Sequence, residues 1–253
     1  MKLAIMGFGA VGQAVAELAP NSGHTVVGIA DSSSAAVNES GLNVADILTK
    51  KENDGTVGSA NHTDFLDADY DVLIEATPTT LDDANPGFSN TKHALERDRH
   101  VVLANKGPVA ERYDELQALV DDSTGSLRFE ATVGGVIPAI GTIQDYGPNQ
   151  VSAVRGILNG TANFVLSRMA AEGLGYEHVL AEAQDLGVAE ADPSFDVNGT
   201  DAALKGVIIA NVMNDGGFTL NDTEVDGITN VSGSALALAL ADGGVRDVVC
   251  DEP

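Results

Sequence analysis

Asp201 and Lys205 stand four residues apart in a run, LGVAEADPSFDVNGTDAALK over residues 186–205, that also carries Glu190, Asp192 and Asp196. On a helix that spacing puts an acid and an amine on one face. The apolar residues that follow (GVIIA) place the amine at the edge of a buried element. An amine acts as general acid and base near neutrality where burial or a second cation favours its neutral form, and a carboxylate one turn away can orient it. An ordinary intrahelical ion pair has the same spacing, so the rest of the chain must decide. A second lysine, Lys106, lies in Ala-Asn-Lys-Gly-Pro directly after the apolar run HVVL, where Gly-Pro fixes a turn. At the other end of the chain, Gly7-Phe8-Gly9-Ala10-Val11-Gly12 has the G-x-G-x-x-G spacing of a phosphate-cradling loop, and Asp31 follows at the end of the next apolar run. An acid at that place accepts from a ribose 2′-hydroxyl, which favours NAD. A 2′-phosphate would want a cation, which Ser32 to Ser34 do not supply, and Lys50 and Lys51 are too distant in sequence to place. NADP is therefore disfavoured rather than excluded.

The elements that must hold these groups are legible in outline. Residues 2–6 (KLAIM) read as a short buried strand, the glycine loop follows at once, and residues 13–18 read as a helix. Strand, glycine loop and helix in that order are the context that makes the glycine spacing meaningful. Further buried strands are expected over 24–30, 71–76, 100–103 and 127–131, with residues 35–68 helix-leaning and helices over 91–97 and 111–121. In a doubly wound sheet the carboxyl ends of parallel strands line the ligand crevice. That puts Glu75 to Thr80, with Thr77 and Pro78 among the cofactor-binding residues, on its nicotinamide side, and it brings Lys106 to the same edge. From Glu130 the sequence turns rich in Gly and Pro (EATVGGVIP), and the boundary is expected here: residues 1–130 a dinucleotide-binding domain, residues 131–253 a catalytic and dimerisation domain. Beyond it, residues 151–158 alternate like a strand. Asn159-Gly160-Thr161-Ala162-Asn163 then reads as a turn opening a helix over 164–171, whose amides and Thr161 hydroxyl could hold a substrate carboxylate. Helices are expected over 176–185 and 234–241. Asp192-Pro193 forces a loop, after which a helix starting near Asn198 to Thr200, both good cap types, carries Asp201 in its first turn and Lys205 one turn on. The fold class is α/β: a Rossmann-type doubly wound nucleotide-binding domain followed by an α+β domain.

Composition removes several alternatives. The 253 residues include 38 acidic and 13 basic ones, a net charge of −25, which leaves little cationic surface for nucleic acid or an anionic membrane. Aromatics are 4% with no tryptophan, so base-stacking platforms are not expected. The hydrophobic fraction of 43% is too high for a disordered acidic chain. The balance suits a folded protein with a carboxylate-rich, lysine-poor surface, as in organisms that keep molar salt in the cytoplasm. One cysteine, Cys250, excludes an internal disulfide and a cysteine-based zinc site. No apolar run reaches a membrane span, and glycines interrupt the N-terminal apolar run too early for a signal peptide, so a cytoplasmic protein is expected.

Taken together, GFGAVG, ANKGPVA, EATVGGVIP, GILNGTANF and AEADPSFDVNGTDAALK resemble, in order and spacing from residue 1 to about residue 212, the homoserine dehydrogenases. The last two motifs are far more specific than the glycine fingerprint. The resemblance implies NAD(P)-dependent interconversion of L-homoserine and L-aspartate 4-semialdehyde, on the route to threonine, methionine and isoleucine, by a homodimer. By motif position Lys205 is similar to the family's catalytic lysine, Lys106 to its second active-site lysine, and Asp201 to the carboxylate that partners the first. Glu190 and Asp196 match acids that meet the substrate amino and hydroxyl groups, and Gly160 with Thr161 matches the turn near the substrate. Glu130, Val133, Gly135 and Ile137 match a monovalent-cation site, for sodium or potassium, built largely from backbone carbonyls. The family continues for several dozen residues past this C-terminus, and GGVRDVVCDEP is only partly similar to the expected segment. A shortened member, or a dinucleotide-binding chain without turnover, is the alternative reading. Another semialdehyde or 2-hydroxy-acid dehydrogenase would need a catalytic cysteine or an Arg-His pair, which the motifs do not supply.

Overall fold

The computed structural model describes residues 1–241. Cys250 and the terminal segment 243–253 lie outside the described residues. The chain divides into two compact units, one over Met1–Gly141 and the other from Thr142 onward, with residues 131–141 joined to the first.

The first unit is built on one six-stranded sheet. Its strands are β1 (Lys2–Met6), β2 (Thr25–Ala30), β3 (Ala35–Val37), β4 (Val72–Glu75), β5 (His100–Leu103) and β6 (Leu127–Arg128), in the spatial order β3-β2-β1-β4-β5-β6. All neighbours pair parallel except β2 with β3. KLAIM, TVVGIA and VLIE are near-continuous apolar runs because a central parallel strand is covered on both faces. Ala4, Ile5, Ile29, Ala30 and Leu73 are fully buried. The chain goes from β1 outward to β2 and returns past β1 to β4, so the strand order reverses between β1 and β4. At such a switch point the loops beyond the two strands part and leave a crevice. Helices α1 (Ala10–Leu18), α2 (Val44–Asp54), α3 (His62–Leu66), α4 (Gly87–Leu95), α5 (Gly107–Glu111) and α6 (Tyr113–Asp121) complete the unit.

Several expectations change here. Residues 35–68, polar and helix-leaning with glycine breaks in the sequence, begin instead with β3 at 35–37, an antiparallel edge strand too short to show a period. The helix expected over 111–121 is two, broken at Arg112, whose φ of −137° lies outside helical geometry. The strand expected over 127–131 stops at Arg128, and Glu130–Thr132 forms a 3-10 turn.

Helix α7 (Ala139–Tyr146) follows, and from Thr142 onward the described residues form helices and loops: α8 (Gly160–Glu172), α9 (Tyr176–Asp185), α10 (Ser194–Val197), α11 (Thr200–Asn214) and α12 (Gly233–Ala241). Val165 and Met169 of α8, Val179 and Ala183 of α9, Val197 of α10 and Leu236 of α12 share one apolar core. Residues 151–158 alternate in sequence but form no strand. A strand needs a ladder partner for its amides and carbonyls, and among the described residues this unit supplies none. No helix of the described residues is long and apolar enough to cross a membrane.

Candidate active site

In the first unit the glycine loop sits at the switch point, immediately after β1. Gly7 has φ +95°, and a Cβ there would lie 2.4 Å from the Ala76 carbonyl oxygen and 2.7 Å from the Thr77 nitrogen. Only glycine permits both that dihedral and that approach to the end of β4. A Cβ at Gly12 would lie 1.9 Å from the Gly7 carbonyl oxygen, while one at Gly9 meets nothing within 4 Å. The first and third glycines thus seat helix and strand against each other, and the second faces open space where a phosphate can reach the backbone. Gly9 caps α1 without a side-chain hydrogen bond, so the α1 amides and the positive end of its dipole are presented to an anion. Ala10 and Val11 are exposed beside it, whereas Phe8 is buried at 4% exposure. The Phe8 side chain therefore belongs to the core, and only its backbone could meet a cofactor.

Asp31 ends β2 as expected, but it is not an open carboxylate. Its Oδ1 accepts the amides of Ser33 and Ser34 at 2.9 and 2.7 Å and both serine hydroxyls, and Oδ2 accepts Lys51 Nζ at 2.5 Å. Burial pushes the Asp31 carboxyl up, but the Lys51 ammonium and the serine donors outweigh it and hold the group well below the usual carboxylate range. Lys51 comes from α2, twenty positions on in sequence. Lys51, too distant in sequence to place, thus stands beside Asp31 in the structure, and the argument against a 2′-phosphate, which rested on the lack of a nearby cation, loses its footing.

At the same sheet edge, Thr77 and Pro78 follow β4, and Asn105 and Lys106 follow β5. Asn105, only 1% exposed, ties the two strand ends together. Its Nδ2 donates to Thr77 Oγ1 at 3.0 Å and to the Pro78 carbonyl at 3.2 Å, and its Oδ1 accepts the Gly107 amide at 3.0 Å. The Lys106 amide is 3.4 Å from Thr79 Oγ1. Lys106 is half-buried at the start of α5, with Pro108 in the first turn. Glu75, expected to border the crevice, is instead fully buried.

In the second unit Asp201 and Lys205 are paired one turn apart on α11, Nζ to Oδ2 at 2.8 Å, with side-chain exposures of 16% for the lysine and 8% for the acid. The amine also donates to the Leu158 carbonyl at 2.6 Å. Lys205 therefore does not point into bulk solvent. Helix α11 is a rigid support, since Ala203, Leu204, Val207, Ile208 and Ile209 are all buried. It starts on Gly199 at φ +86°, with no side-chain cap, so the capping expected of Asn198 or Thr200 is not made. A Cβ at Gly199 would come within 2.9 Å of the Asp226 carbonyl oxygen, which is why a glycine opens this helix.

Asn159 joins the parts. It is 7% exposed, and its Nδ2 donates to Asp196 Oδ1 at 2.7 Å and to Asp201 Oδ2 at 2.8 Å, while its Oδ1 accepts the Ala162 amide at 2.8 Å. One side chain thus caps α8, where Gly160 and Thr161 form the first turn, and spaces two carboxylates that would otherwise repel. Asn159 opens the Asn-Gly-Thr turn in the sequence, but its reach to the two carboxylates does not show there. Thr161 Oγ1 donates to the Val188 carbonyl at 3.2 Å, which commits the hydroxyl expected to meet a substrate. Glu190 is exposed, and its carbonyl accepts Gln184 Nε2 at 3.1 Å.

The residues expected to hold a cation lie in the loop before α7. The Glu130 carboxylate accepts the Ile140 amide at 2.9 Å and the Gly141 amide at 2.8 Å, capping that helix. Its own carbonyl accepts the Val133 and Gly134 amides, and the Ile137 carbonyl accepts Ala139. The carboxylate is thus spent on α7. Among the described residues no cluster of three His, Cys, Asp or Glu side chains could hold a metal, so any cation here depends on the backbone oxygens of Glu130, Val133, Gly135 and Ile137.

Residues 138–251 match the family model for homoserine dehydrogenase. Residues 1–86, which take in the glycine loop and the strands around it, match a model for Glutamate/Leucine/Phenylalanine/Valine dehydrogenase. A homoserine dehydrogenase of Methanocaldococcus jannaschii is 36% identical over 257 residues, covering 94% of this chain and 76% of that protein. An NAD(+)-dependent homoserine dehydrogenase of Pseudomonas canavaninivorans is 38% identical over 251 residues, with coverages of 91% and 71%. The crystal structure of a putative homoserine dehydrogenase from Archaeoglobus fulgidus superimposes with a TM-score of 0.84 at 38% identity, covering 96% of this chain and 77% of that one. Identity of this extent over most of both chains leaves one conclusion: the chain belongs to the homoserine dehydrogenase family.

Proposed function

We propose that this chain interconverts L-homoserine and L-aspartate 4-semialdehyde with NAD(P), on the route to threonine, methionine and isoleucine, and that Lys205 is its acid and base. The observation that carries this is the lysine's setting. Asp201 and the Leu158 carbonyl take two of the three N–H directions of the protonated amine, and the third is the one a substrate oxygen would take. Oxidation of a primary alcohol removes a proton from oxygen and a hydride from carbon. The nicotinamide, when bound, accepts or returns the hydride. Lys205 Nζ takes the proton in that direction and restores it in the other, while Asp201 keeps the amine aimed. Glu190 and Asp196 are assigned to the substrate ammonium and hydroxyl, and the first turn of α8, at Gly160 and Thr161, to its carboxylate end.

The glycine loop from Gly7 to Gly12 is assigned to the pyrophosphate, Asp31 with Lys51 to the adenosine ribose, and Thr77, Pro78 and Lys106 to the nicotinamide side, with Lys106 as the second active-site lysine. The carbonyls of residues 130, 133, 135 and 137 are assigned to a monovalent cation, sodium or potassium. The working form is read as a cytoplasmic homodimer, with residues 1–130 supplying the dinucleotide domain, residues 131–253 the catalytic and dimerisation domain, and no nucleic acid or membrane partner.

The test is homoserine-dependent reduction of NAD and of NADP by the purified chain in molar KCl, beside Lys205→Met. The wild type should turn over, and the variant should lose at least about 100-fold in kcat, the usual scale for a lost acid–base group, while still binding cofactor. A folded wild type that binds cofactor without a homoserine-dependent signal would sink the catalytic reading and leave the silent dinucleotide-binding alternative standing.

A further inference from the structure

Glu75 ends β4 with 0% of its surface exposed, so its carboxylate meets no ligand directly. It nevertheless governs what lies at the crevice. Its Oε1 accepts the Thr77 amide at 2.9 Å and the Thr77 hydroxyl, and its Oε2 accepts Asn90 Nδ2 from α4 at 2.8 Å. Having donated to Glu75, the Thr77 hydroxyl is left with lone pairs, and it accepts from Asn105 Nδ2 at 3.0 Å. Asn105 in turn fixes the Gly107 amide through Oδ1. Every proton in this relay has one destination, from Asn105 to Thr77 to Glu75, and the relay links the residues after β4 to the turn that carries Lys106. The glycine loop backs on the same residues, because a Cβ at Gly7 would strike the Ala76 carbonyl and the Thr77 nitrogen.

We propose that Glu75 is a positioning residue for hydride transfer: through Thr77 and Asn105 it sets the strand-end turn beside the glycine loop and the Lys106 turn. The inference rests on the reading of that crevice as the dinucleotide site. Burial pushes the Glu75 carboxyl up, opposed by the Thr77 and Asn90 donors. A buried acid kept among three donors at the sheet's ligand-facing edge has a use there that an apolar residue could not fill.

Glu75→Gln tests this, because its amide replaces one acceptor oxygen with a donor: toward Thr77 that donor meets the backbone amide, and toward Asn90 it makes the Asn90 side chain turn over to accept. Pairing it with Asn90→Asp turns the contact round, so that the new amide donates to a new carboxylate and net charge is unchanged. For Glu75→Gln, binding of reduced cofactor, read by its fluorescence, should weaken roughly tenfold and kcat should fall by a similar factor, the scale of one unsatisfied buried partner. The KM for homoserine should stay within about threefold, and the paired swap should recover most of both losses. If Glu75→Gln lowers only the melting temperature and leaves kcat and cofactor affinity at wild-type values, Glu75 is merely structural and the proposal is overturned. Should that variant not fold, Thr77→Val cuts the same relay and Thr77→Ser preserves it. Equal activity and affinity in those two variants would overturn the proposal equally. A wild type that binds no cofactor would instead sink the dinucleotide reading beneath it, an outcome distinct from a working wild type matched by a working Glu75→Gln.

Discussion

Lys51 decides what the acid after β2 can do. A ribose 2′-hydroxyl needs an acceptor, and Asp31 alone would provide it, whereas a 2′-phosphate beside a lone carboxylate would be repelled. With Nζ at 2.5 Å from Oδ2, a carboxylate and an ammonium stand side by side at the end of β2, and under the dinucleotide reading proposed above either can meet the ribose. Lys51→Met should therefore lower kcat/KM for NADP relative to NAD by roughly tenfold, about the worth of one charge-assisted hydrogen bond. Initial rates with the two cofactors give that ratio directly, and an unchanged ratio would reduce Lys51 to a partner of Asp31 alone. The position of this cation could not be read from the sequence, nor could the bridging role of Asn159, and for the same reason. Local spacing reveals contacts within one element, such as Asp201 with Lys205 or the three glycines with the helix they open. Lys51 reaches Asp31 from another element, and Asn159 reaches Asp196 and Asp201 across 37 and 42 positions. The signal that could have found Asn159 was its place before Gly160-Thr161, a good N-cap position. Capping uses only its oxygen, however, and says nothing about where the amide nitrogen goes.

At the scale of elements, the buried parallel strands were legible because continuous apolar runs bounded by turn residues have few other uses, and β1, β2, β4 and β5 all form close to their expected limits. What failed depended on partners rather than on pattern. β3 exists because β2 offers an open edge, and residues 151–158 stay irregular because none is offered to them among the described residues. Glu130 shows the same dependence. Its sequence context resembles a cation ligand, yet its carboxylate caps α7 through the Ile140 and Gly141 amides. Glu130→Ala should cost about 1 kcal/mol of stability, as loss of a helix cap does. That corresponds to a fall of about 2–4 °C in melting temperature for a chain of this size. The response of activity to potassium, sodium or choline as the sole cation should survive, because the carbonyl oxygens of the loop remain. Loss of the cation response with no change in melting temperature would reverse the assignment and make the carboxylate a ligand.

Across the described residues the scarce cations are largely engaged. Lys2 with Asp69, Lys50 with Asp54, Lys92 with Glu96, Arg112 with Glu115 and Arg168 with both Glu172 and Glu182 form ion pairs, most of them exposed. Exposed pairs of this kind contribute at most about 1 kcal/mol each, and with 38 acidic residues against 13 basic ones most carboxylates have no cation to meet. The folded state thus crowds like charges that the unfolded chain would spread apart, and the penalty is set by screening. The Debye length is about 10 Å at 0.1 M salt and about 3 Å at 1 M. The melting temperature should therefore rise steeply with KCl up to about 1 M and flatten beyond, where the repulsion is already screened. Sucrose, which strengthens burial without screening charge, should not reproduce the steep phase. A melting curve indifferent to KCl between 0.1 and 2 M would mean that the surface charge does not limit stability, and a gain matched by sucrose would assign the effect to burial instead.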